Sequence, residues 1–576
     1  MRKLLPVFGL LVSFLVNAQA PLQTYFEKTK GLESPVYADI ISWWQQLDAR
    51  SGKVKLLTMG PSDAGFPLHL AVVSNNGDYN FNSIHKNNKR VILINNGIHP
   101  GEPDGIDASM LLARDIVAGT VKIPDNIVLA FIPVYNIGGC LNRSANYRID
   151  QNGPKEKGFR GNSQNLDLNR DFIKCDTKEA RSFAEIFHLT DPDVFVDNHV
   201  SDGADYQHVM TLLTTQHDKL GGDMGEYINK QFDPALRDGM KTKGYDLVPY
   251  VNNFGDTPES GWTEYWDSPR YSSGYATLWN TFAFVPETHM LKPYDQRVKA
   301  TYALMQCFID FTATHDKEIA GLRQQAKEKV KTQSLFPISW KLDKSQSATI
   351  TFKGFVAGRK PSEVSGLPRL YYDRNQPFEK QVPFYNKYVA QQSISKPDAY
   401  IIPQGWWKVT DLLRINGVIM DPLKKDSSIE VEVYHIDDFK TSARQYEMHH
   451  SNSEVKITAS KQVIRFRKGD LVIPMNQAAN RFLVETLEPQ SEDSYFSWNY
   501  FDGVLGQKEG FSGYSFEDIA AAYLKTDAGL QAKLQQKRAT DSVFAKSGGA
   551  QLNFVFQNSP YFEPVNLRYP VYRLVH

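Results

Sequence analysis

The sequence predicts an α/β fold, in which a mainly parallel or mixed sheet is flanked by helices, followed by a β-rich, sandwich-like C-terminal region. Short apolar runs rich in β-branched residues, such as "RVILINN", suit strands that are buried on both faces of a sheet. Segments with apolar residues at helical spacing, such as "GIDASMLLARDIV", alternate with these runs. This alternation is typical of a parallel sheet covered by helices.

Strand and helix patterns alternate over residues from about 35 to 315. The predicted strands are "KVKLLTMG", "PLHLAVVS", "RVILINN", "NIVLAFIPVYN", "DVFVDNH" and "TFAFVPE". Further predicted helices are "EARSFAEIFHL" and one long stretch that begins at "YDQRVKATYALM" and runs to about residue 331. We therefore expect one domain over residues 21–330.

The pattern changes after residue 330. Strand-like segments separated by short turns follow one another to about residue 475, which favours an accessory region of the β-sandwich type. These segments are "SATITFKGFVAG", "DAYIIP", "IEVEVYHI" and "EVKITASKQVIRF". Two helices, "SFEDIAAAYLK" and "GLQAKLQQKRAT", are predicted further on. We expect residues 331–576 to be β-rich and to end in a mixed α/β segment from about residue 476.

The composition argues against a nucleic-acid partner. The 576 residues contain 65 Lys plus Arg and 65 Asp plus Glu, so no net field attracts polyanions. The hydrophobic content of 41% is sufficient for a sizeable core. The three cysteines, Cys140, Cys175 and Cys307, have no metal-ligand spacing, and we expect small buried side chains with at most one disulfide bridge.

The N-terminus "MRKLLPVFGLLVSFLVNAQAPLQ" has the pattern of a secretory signal peptide. A charged start precedes an apolar run that is shorter than the ~18 residues needed to span a membrane. We expect residues 1–20 to be a signal peptide, with cleavage after Ala18 or Ala20. The mature protein is then periplasmic or extracellular, without stable membrane insertion, and no inhibitory pro-segment is expected before the first strand of the sheet.

The stretch "INNGIHPGEPDG" places His99 and Glu102 just past the end of a predicted buried strand. His199 ends another such strand, in "DVFVDNH". Ligands bind outside the carboxyl ends of the strands in open parallel sheets, so these side chains are expected to meet. Two imidazoles and a carboxylate suit a catalytic zinc site, which has three protein ligands and one open position.

Polar residues in two further segments complete a candidate site. "NLDLNRDF" places Asn169 beside Arg170, and "ANYRIDQ" supplies Arg148. An arginine binds a carboxylate through two parallel hydrogen bonds, although a solvated loop is the favoured explanation of these arginines when they are taken alone. Glu287 ends the apolar strand in "FAFVPETHM", where a carboxylate can act as a general base beside a metal.

The order of these motifs over residues 22 to 320 resembles the zinc metallocarboxypeptidases, the carboxypeptidase A-like peptidase family M14. The order is His-x-x-Glu, Tyr-Arg, Asp-x-Asn-Arg, a strand ending in His and a strand ending in Glu. The resemblance implies an exported, bacterial-type member with a C-terminal β-rich extension, whose catalytic domain binds one zinc ion. The residue roles it implies are zinc ligation by His99, Glu102 and His199, a hydrogen bond from a ligand histidine to Asp167, binding of the substrate's terminal carboxylate by Asn169 and Arg170, oxyanion stabilisation by Arg148, and activation of a zinc-bound water by Glu287.

Some positions depart from the family's pattern. "NRD" stands where members often have "NRN", and "VPETH" replaces the usual sequence around the catalytic glutamate. The family's mobile tyrosine has three candidates, because spacing favours Tyr265 whereas the segment "SPRYSSGY" favours Tyr271 and Tyr275. Arg270 is a further candidate for contact with the substrate, with an exposed loop arginine as the alternative.

The resemblance implies a zinc-dependent hydrolase that removes C-terminal residues from peptides, with Glu287 as general base. The alternative is a zinc amidase or deacylase of the same fold that acts on cell-wall peptides or N-acyl amino acids. A non-catalytic binding protein is disfavoured because every expected ligand and catalytic residue is present. The aromatic stretch "SEDSYFSWNYFDG" is expected to be core, with a wall of the cleft or a binding surface for a carbohydrate or partner as the alternatives.

Overall fold

The structure, a computed structural model, describes residues 22–253 and 255–575. The predicted signal peptide and both candidate cleavage positions lie outside the described residues.

Nine strands of the described residues form one mixed sheet, in the order β1-β2-β4-β3-β7-β12-β9-β10 with β8 paired to β12. The central strands β4, β3, β7 and β12 run parallel, β1 and β2 pair antiparallel with their neighbours, and β9 pairs antiparallel with β12 and parallel with β10, which confirms the predicted mixed sheet. The strands up to residue 330 are β1 (Val54–Pro61), β2 (Pro67–Ser74), β3 (Arg90–Asn95), β4 (Ile127–Ile132), β5 (Arg143–Ser144), β6 (Lys157–Gly158), β7 (Val194–Asp197), β8 (His199–Ser201), β9 (Met210–Thr214), β10 (Val248–Pro249), β11 (Trp262–Thr263) and β12 (Phe282–His289).

Helices flank this sheet. They are α1 (Tyr25–Lys28), α2 (Tyr37–Arg50), α3 (Phe81–Lys86), α4 (Asp104–Ala118), α5 (Ile137–Leu141), α6 (Lys178–Thr190), α7 (His217–Leu220), α8 (Gly222–Tyr227), α9 (Asp233–Thr242), α10 (Ser272–Thr277), α11 (Tyr294–Thr314) and α12 (Asp316–Thr332). The single long helix predicted up to residue 331 is two helices, because His315 leaves the helical conformation at φ −111° and ψ 25°.

The pairing of the parallel strands brings their carboxyl ends to one edge of the sheet. Asn95, the last residue of β3, lies opposite Asp197, the last residue of β7. Glu287 of β12 pairs in register with His199 of β8. The loop after β3 therefore reaches the same edge as β8 and β12, as expected for ligand-binding loops in such sheets.

The region after residue 330 is β-rich, as predicted, with its strands distributed over three further sheets. The strands are β13 (Leu335–Leu342), β14 (Ala348–Pro361), β15 (Pro368–Tyr385), β16 (Tyr388–Ser395), β17 (Ala399–Ile402), β18 (Asp421–Pro422), β19 (Ser427–Thr441), β20 (Asn452–Phe466), β21 (Leu471–Pro474) and β22 (Tyr572–Leu574). The largest of these sheets has the order β18-β21-β17-β22-β19-β20. β11 pairs with β15, so the first part of the chain contributes a strand to a later sheet.

Helices also occur in the later region, as predicted for its last segment. They are α13 (Trp407–Ile415), α14 (Asn480–Leu487), α15 (Gly513–Thr526), α16 (Ala528–Thr540), α17 (Ser542–Ala545) and α18 (Gly548–Gln557). Helices α15 to α18 enclose a small hydrophobic cluster of their own, which includes Phe516, Leu530, Phe544 and Phe556.

The main hydrophobic core continues through both parts of the chain. One cluster of buried side chains extends from Phe26 near the start of the described residues to Val571 near their end. The aromatic stretch from residue 491 belongs to it, since Tyr495, Phe496 and Phe501 are fully buried, which confirms the core interpretation. The two parts of the chain therefore pack as one body.

Two further sequence predictions can be compared with the described residues. All three cysteines are buried and free, in agreement with small core side chains. Within residues 22–253 and 255–575 we find no helix that is long and apolar enough to cross a membrane.

Candidate active site

His99, Glu102 and His199 meet at the carboxyl edge of the large sheet. Oε1 of Glu102 lies 3.0 Å from Nδ1 of His99, and Oε2 lies 3.1 Å from Nδ1 of His199. All three side chains are buried, and their ligand atoms lie within 4.8 Å of one another. Gly97, at φ 67°, allows the sharp turn that the chain makes at this edge after β3.

A carboxylate contacts the Nε2 atom of each imidazole, on the side away from Glu102. Nε2 of His99 lies 2.9 Å from Oδ1 of Asp167, and Nε2 of His199 lies 3.1 Å from Oδ2 of Asp197. Both Nδ1 atoms consequently face Glu102. A carboxylate that holds the outer nitrogen fixes the tautomer and ring orientation of a metal-ligating histidine.

Asp197 was missed in the sequence analysis, although the sequence contains a signal for it. Asp197 precedes His199 by two positions in "VDNH", and alternate residues of an extended chain point to the same face.

The donor set suits zinc. Two imidazole nitrogens and one carboxylate are the ligands of many catalytic zinc sites. Here they converge from two different elements onto one buried point, with the outer nitrogens already paired. The chain thus contains a His-Glu-His group that can hold a zinc ion.

The charges around Glu102 keep it ionised. Nη1 of Arg148 donates to Oε1 of Glu102 at 2.8 Å, and the backbone N–H of Val200 donates to Oε2 at 2.8 Å. Burial raises the pKa of Glu102, but Arg148 and His99 outweigh it and hold the pKa well below its usual range. For His199, burial lowers the pKa, and Asp197 and Glu102 more than reverse this, so the pKa is raised well above its usual value.

Glu287 faces the same point from β12. It is the one residue of β12 that is not fully buried, because its carboxyl group lines the cavity. Burial raises the pKa of Glu287 to about 8, while His199 and Arg148 oppose the rise. The positive charge of a bound divalent cation would also oppose the rise in this pKa.

Asn169 and Arg170 occupy a short 3-10 turn, Leu168–Arg170, that begins after Asp167. The Asp167 side chain accepts a hydrogen bond from the Asn169 N–H at 2.9 Å, which caps the turn. The guanidinium of Arg170 stacks on the Tyr271 ring, 4.7 Å from its centroid. Arg160, which we did not single out from the sequence, donates through Nε to Oδ2 of Asp167 at 2.9 Å.

These side chains line one cavity of about 390 Å³, within the size range of small-ligand sites. The cavity brings together most of the residues predicted from the sequence: His99, Glu102, Arg148, Asn169, Arg170, His199, Tyr265, Tyr271 and Glu287. It also includes Tyr250 and Arg160, which lie in segments that carry no recognisable motif.

Two candidate substrate residues do not line the cavity. Tyr275 is fully buried, and its hydroxyl donates to Oδ1 of Asn416 at 2.6 Å. Arg270 turns towards the C-terminal region, where its Nη2 lies 2.7 Å from Oδ1 of Asp493. The structure therefore does not bring these two residues to the cavity, because contacts with later parts of the chain determine where they point.

Part of the chain matches a known protein family, and longer stretches are similar to curated carboxypeptidases. The family model described as Zinc carboxypeptidase, Peptidase_M14, matches residues 40–206. Carboxypeptidase 2 of Trichophyton rubrum is 20% identical over 433 residues, which cover 71% of this chain and 73% of that protein. Carboxypeptidase 2 of Trichophyton equinum is 20% identical over 441 residues, which cover 72% of this chain and 75% of the relative.

Solved structures are similar over about half of the chain. A metallo-carboxypeptidase from Burkholderia cenocepacia has a TM-score of 0.36 at 12% identity, covering 48% of this chain and 69% of its own. Carboxypeptidase A from Helicoverpa armigera has a TM-score of 0.36 at 14% identity, covering 51% of this chain and 74% of its own. The family match over residues 40–206 and the curated relatives support a peptide hydrolase that contains a region similar to the zinc carboxypeptidases of peptidase family M14.

Proposed function

We propose that this protein removes single residues from the C-terminus of peptides, with His99, Glu102 and His199 holding one zinc ion. The observation that carries the proposal is the single cavity in which a His-Glu-His group, the half-buried Glu287 and an arginine with an adjacent asparagine face one another. Metal ligands alone would fit many hydrolases. The arginine and asparagine beside them favour a substrate that ends in a carboxylate.

Asn169 and Arg170 would bind the terminal carboxylate of the peptide. Arg170 is held by the Tyr271 ring and by a hydrogen bond from its Nη1 to the backbone oxygen of Asn169 at 2.7 Å. Oδ1 of Asn169 is buried and has no hydrogen-bond partner among the described residues. A fixed guanidinium presents two parallel N–H groups to a carboxylate and thereby fixes the position of the adjacent peptide bond.

Three groups would act on that peptide bond. Zinc, when bound, supplies a Lewis acid that polarises the carbonyl and lowers the pKa of water. The Glu287 carboxylate would take a proton from the attacking water and then give it to the departing amine. Arg148 lines the cavity with its guanidinium and would donate hydrogen bonds to the oxygen that becomes negative. Its backbone, at φ 47°, is in the left-handed region, as found for residues that a site holds under strain.

We also propose that the enzyme acts outside the cytoplasm. The support is the N-terminal pattern of a charged start, an apolar run and small residues before position 21. Mass spectrometry of the protein exported by its host would give the new N-terminus. A mature chain that begins after Ala18 or Ala20 agrees with the proposal, and an intact Met1 in the exported fraction contradicts it.

A peptide library followed by mass spectrometry tests the activity. Wild-type protein should shorten peptides by one C-terminal residue at a time, whereas Glu287→Gln should be slower by about 10²- to 10⁴-fold. Glu264→Gln is the matched control, because burial also raises the pKa of Glu264 well above its usual value, but Glu264 does not line this cavity. Internal cleavage, or hydrolysis of acylated amino acids or cell-wall peptides only, would transfer the assignment to the amidase alternative.

A further inference from the structure

The hairpin formed by β19 and β20 ends in a tip, residues 442–451, that reaches the candidate active site from the C-terminal region. Tyr446 and His449 close the tip with two backbone hydrogen bonds of 2.8 and 3.0 Å. The two residues between them, Glu447 and Met448, have φ values of 48° and 68°. Neither is a glycine, so the turn holds two side chains in the left-handed region, where strain of about 1 kcal/mol or more per residue is usual.

In this conformation, the side chain of Glu447 contacts the backbone of Asp167. Oε2 of Glu447 accepts a hydrogen bond from the backbone N–H of Asp167 at 2.9 Å, across 280 positions of sequence. The Asp167 carboxylate in turn contacts Nε2 of His99 and caps the turn that contains Asn169 and Arg170. The backbone of one residue thus connects the tip to both a metal-ligand candidate and the candidate carboxylate site.

Further contacts hold the tip at this position. Nε2 of His449 lies 2.9 Å from Oδ2 of Asp176. The Tyr446 ring stacks on Trp498, with centroids 6.3 Å apart and planes tilted by 24°. Burial raises the pKa of Tyr446, and the charge of Arg170 opposes the rise. Contacts of Tyr446 and His449 therefore hold the tip in place on both sides of Glu447.

We propose that Glu447 is a positioning residue of the active site, which holds Asp167 so that His99 is oriented for zinc and Arg170 is oriented for the substrate. No residue of the tip is among those that line the cavity in the described part of the chain, so the tip acts through Asp167. The later region of the chain thereby contributes to zinc binding and to substrate binding. The role of Glu447 in orienting Arg170 for the substrate rests on the proposed function, whereas its role in orienting His99 for zinc does not.

Two amide substitutions distinguish the effect of losing the hydrogen bond from the effects of losing the charge and of destabilising the fold. Glu447→Gln keeps an oxygen at the same reach. Glu447→Asn carries the same amide, but its oxygen is set back by one carbon–carbon bond, about 1.5 Å. Asparagine tolerates the left-handed region better than most residues, so Glu447→Asn is expected to fold at least as well as Glu447→Gln. Glu430→Asn, at an exposed position on the same hairpin, is the control.

Zinc retention against a competing chelator is measured on the full-length protein in the absence of substrate. Glu447→Gln should stay within about threefold of wild type, and Glu447→Asn should lose about tenfold in zinc affinity, at the low end for residues behind a metal ligand. With zinc saturating, Glu447→Asn should also raise KM for a peptide several-fold more than it lowers kcat. Melting temperatures measured alongside should show that Glu447→Asn is no less stable than Glu447→Gln.

Three outcomes would overturn the inference. Equal zinc affinity in Glu447→Asn and wild type would show that the hydrogen bond does not orient His99. Equal losses in Glu447→Gln and Glu447→Asn would show that charge rather than reach matters. A loss of zinc in Glu430→Asn would show that any change in the hairpin has the same effect. If wild-type protein cleaves no peptide, the proposed function fails, while the zinc comparison still decides the role of Glu447.

Discussion

The backbone N–H of Lys353 donates a hydrogen bond of 3.2 Å to Nε2 of His208, so a neutral imidazole connects the first part of the chain to strand β14. Nδ1 of His208 lies 3.0 Å from the carbonyl oxygen of Asp246 and must donate to it. The ring therefore carries its single proton on Nδ1. Burial lowers the pKa of His208 to about 4, with the charges of Asp246, Lys353 and Lys292 nearby.

This contact predicts a loss of stability in acid. The folded-state pKa of about 4 is below the unfolded value of about 6.5, so the stabilisation is complete above pH 6.5 and is lost as the pH falls towards 4. The full loss is about 3 kcal/mol, from 1.36 kcal/mol per pKa unit. Urea unfolding between pH 7.5 and 4 should show a smaller pH dependence for His208→Gln than for wild type. A similar reduction in His435→Gln, where the histidine is exposed, would contradict this assignment.

Asp197 should be as important for zinc as the ligands are. Asp197→Asn removes the charge behind His199, and we expect zinc affinity to fall by about 10- to 100-fold, as measured by chelator competition. Asp202→Asn is the control, because it removes a negative charge from the same cavity. Asp202 is not a partner of either imidazole, since their nitrogens are paired with Asp167, Asp197 and Glu102. Comparable losses in the two variants would mean that only the total charge of the cavity matters.

Arg170 and Arg270 should respond differently to the same substitution. Arg170→Lys loses the planar pair of donors, so KM for a peptide should rise by about tenfold or more with a smaller change in kcat. Arg270→Lys should leave KM unchanged and lower the melting temperature, because Arg270 is paired with buried Asp493 rather than with the cavity. A large KM effect for Arg270→Lys would restore the sequence-based interpretation of this residue.

The shared core predicts that the catalytic domain does not fold alone. A chain ending at residue 330 would expose the core surface that now packs against side chains such as Tyr400, Leu413 and Phe482. We expect this fragment to be insoluble or to lack a cooperative thermal transition in calorimetry. A soluble fragment that unfolds cooperatively and retains zinc would instead support the domain boundary predicted near residue 330.

The sequence predicts the parts of this site that follow local rules. His99, His199 and Glu287 each come just after or at the end of an apolar strand, and a parallel sheet brings such ends to one edge. The mixed sheet could be predicted for the same reason, since its strands are short apolar runs separated by helices. Asp197 was predictable in principle, from its two-residue spacing to His199.

Other parts depend on contacts that no local pattern contains. Arg270 and Tyr275 lie away from the cavity because their side chains contact Asp493 and Asn416, which are more than 100 positions away in the sequence. Glu447 has no motif around it, and only the path of the β19–β20 hairpin brings it to Asp167. Tyr250 reaches the cavity from an irregular segment beside β10. Tertiary packing determines these contacts, so they become visible only in the folded chain.

The proposed function requires the enzyme to recognise the free C-terminus of a peptide. The most direct measurement compares the rates at which one peptide is shortened when it ends in a carboxylate and when it ends in an amide. We expect the carboxylate form to be cleaved at least about 100-fold faster, and Arg170→Lys to remove most of this preference. Equal rates for the two forms, or cleavage at internal bonds of both, would contradict it.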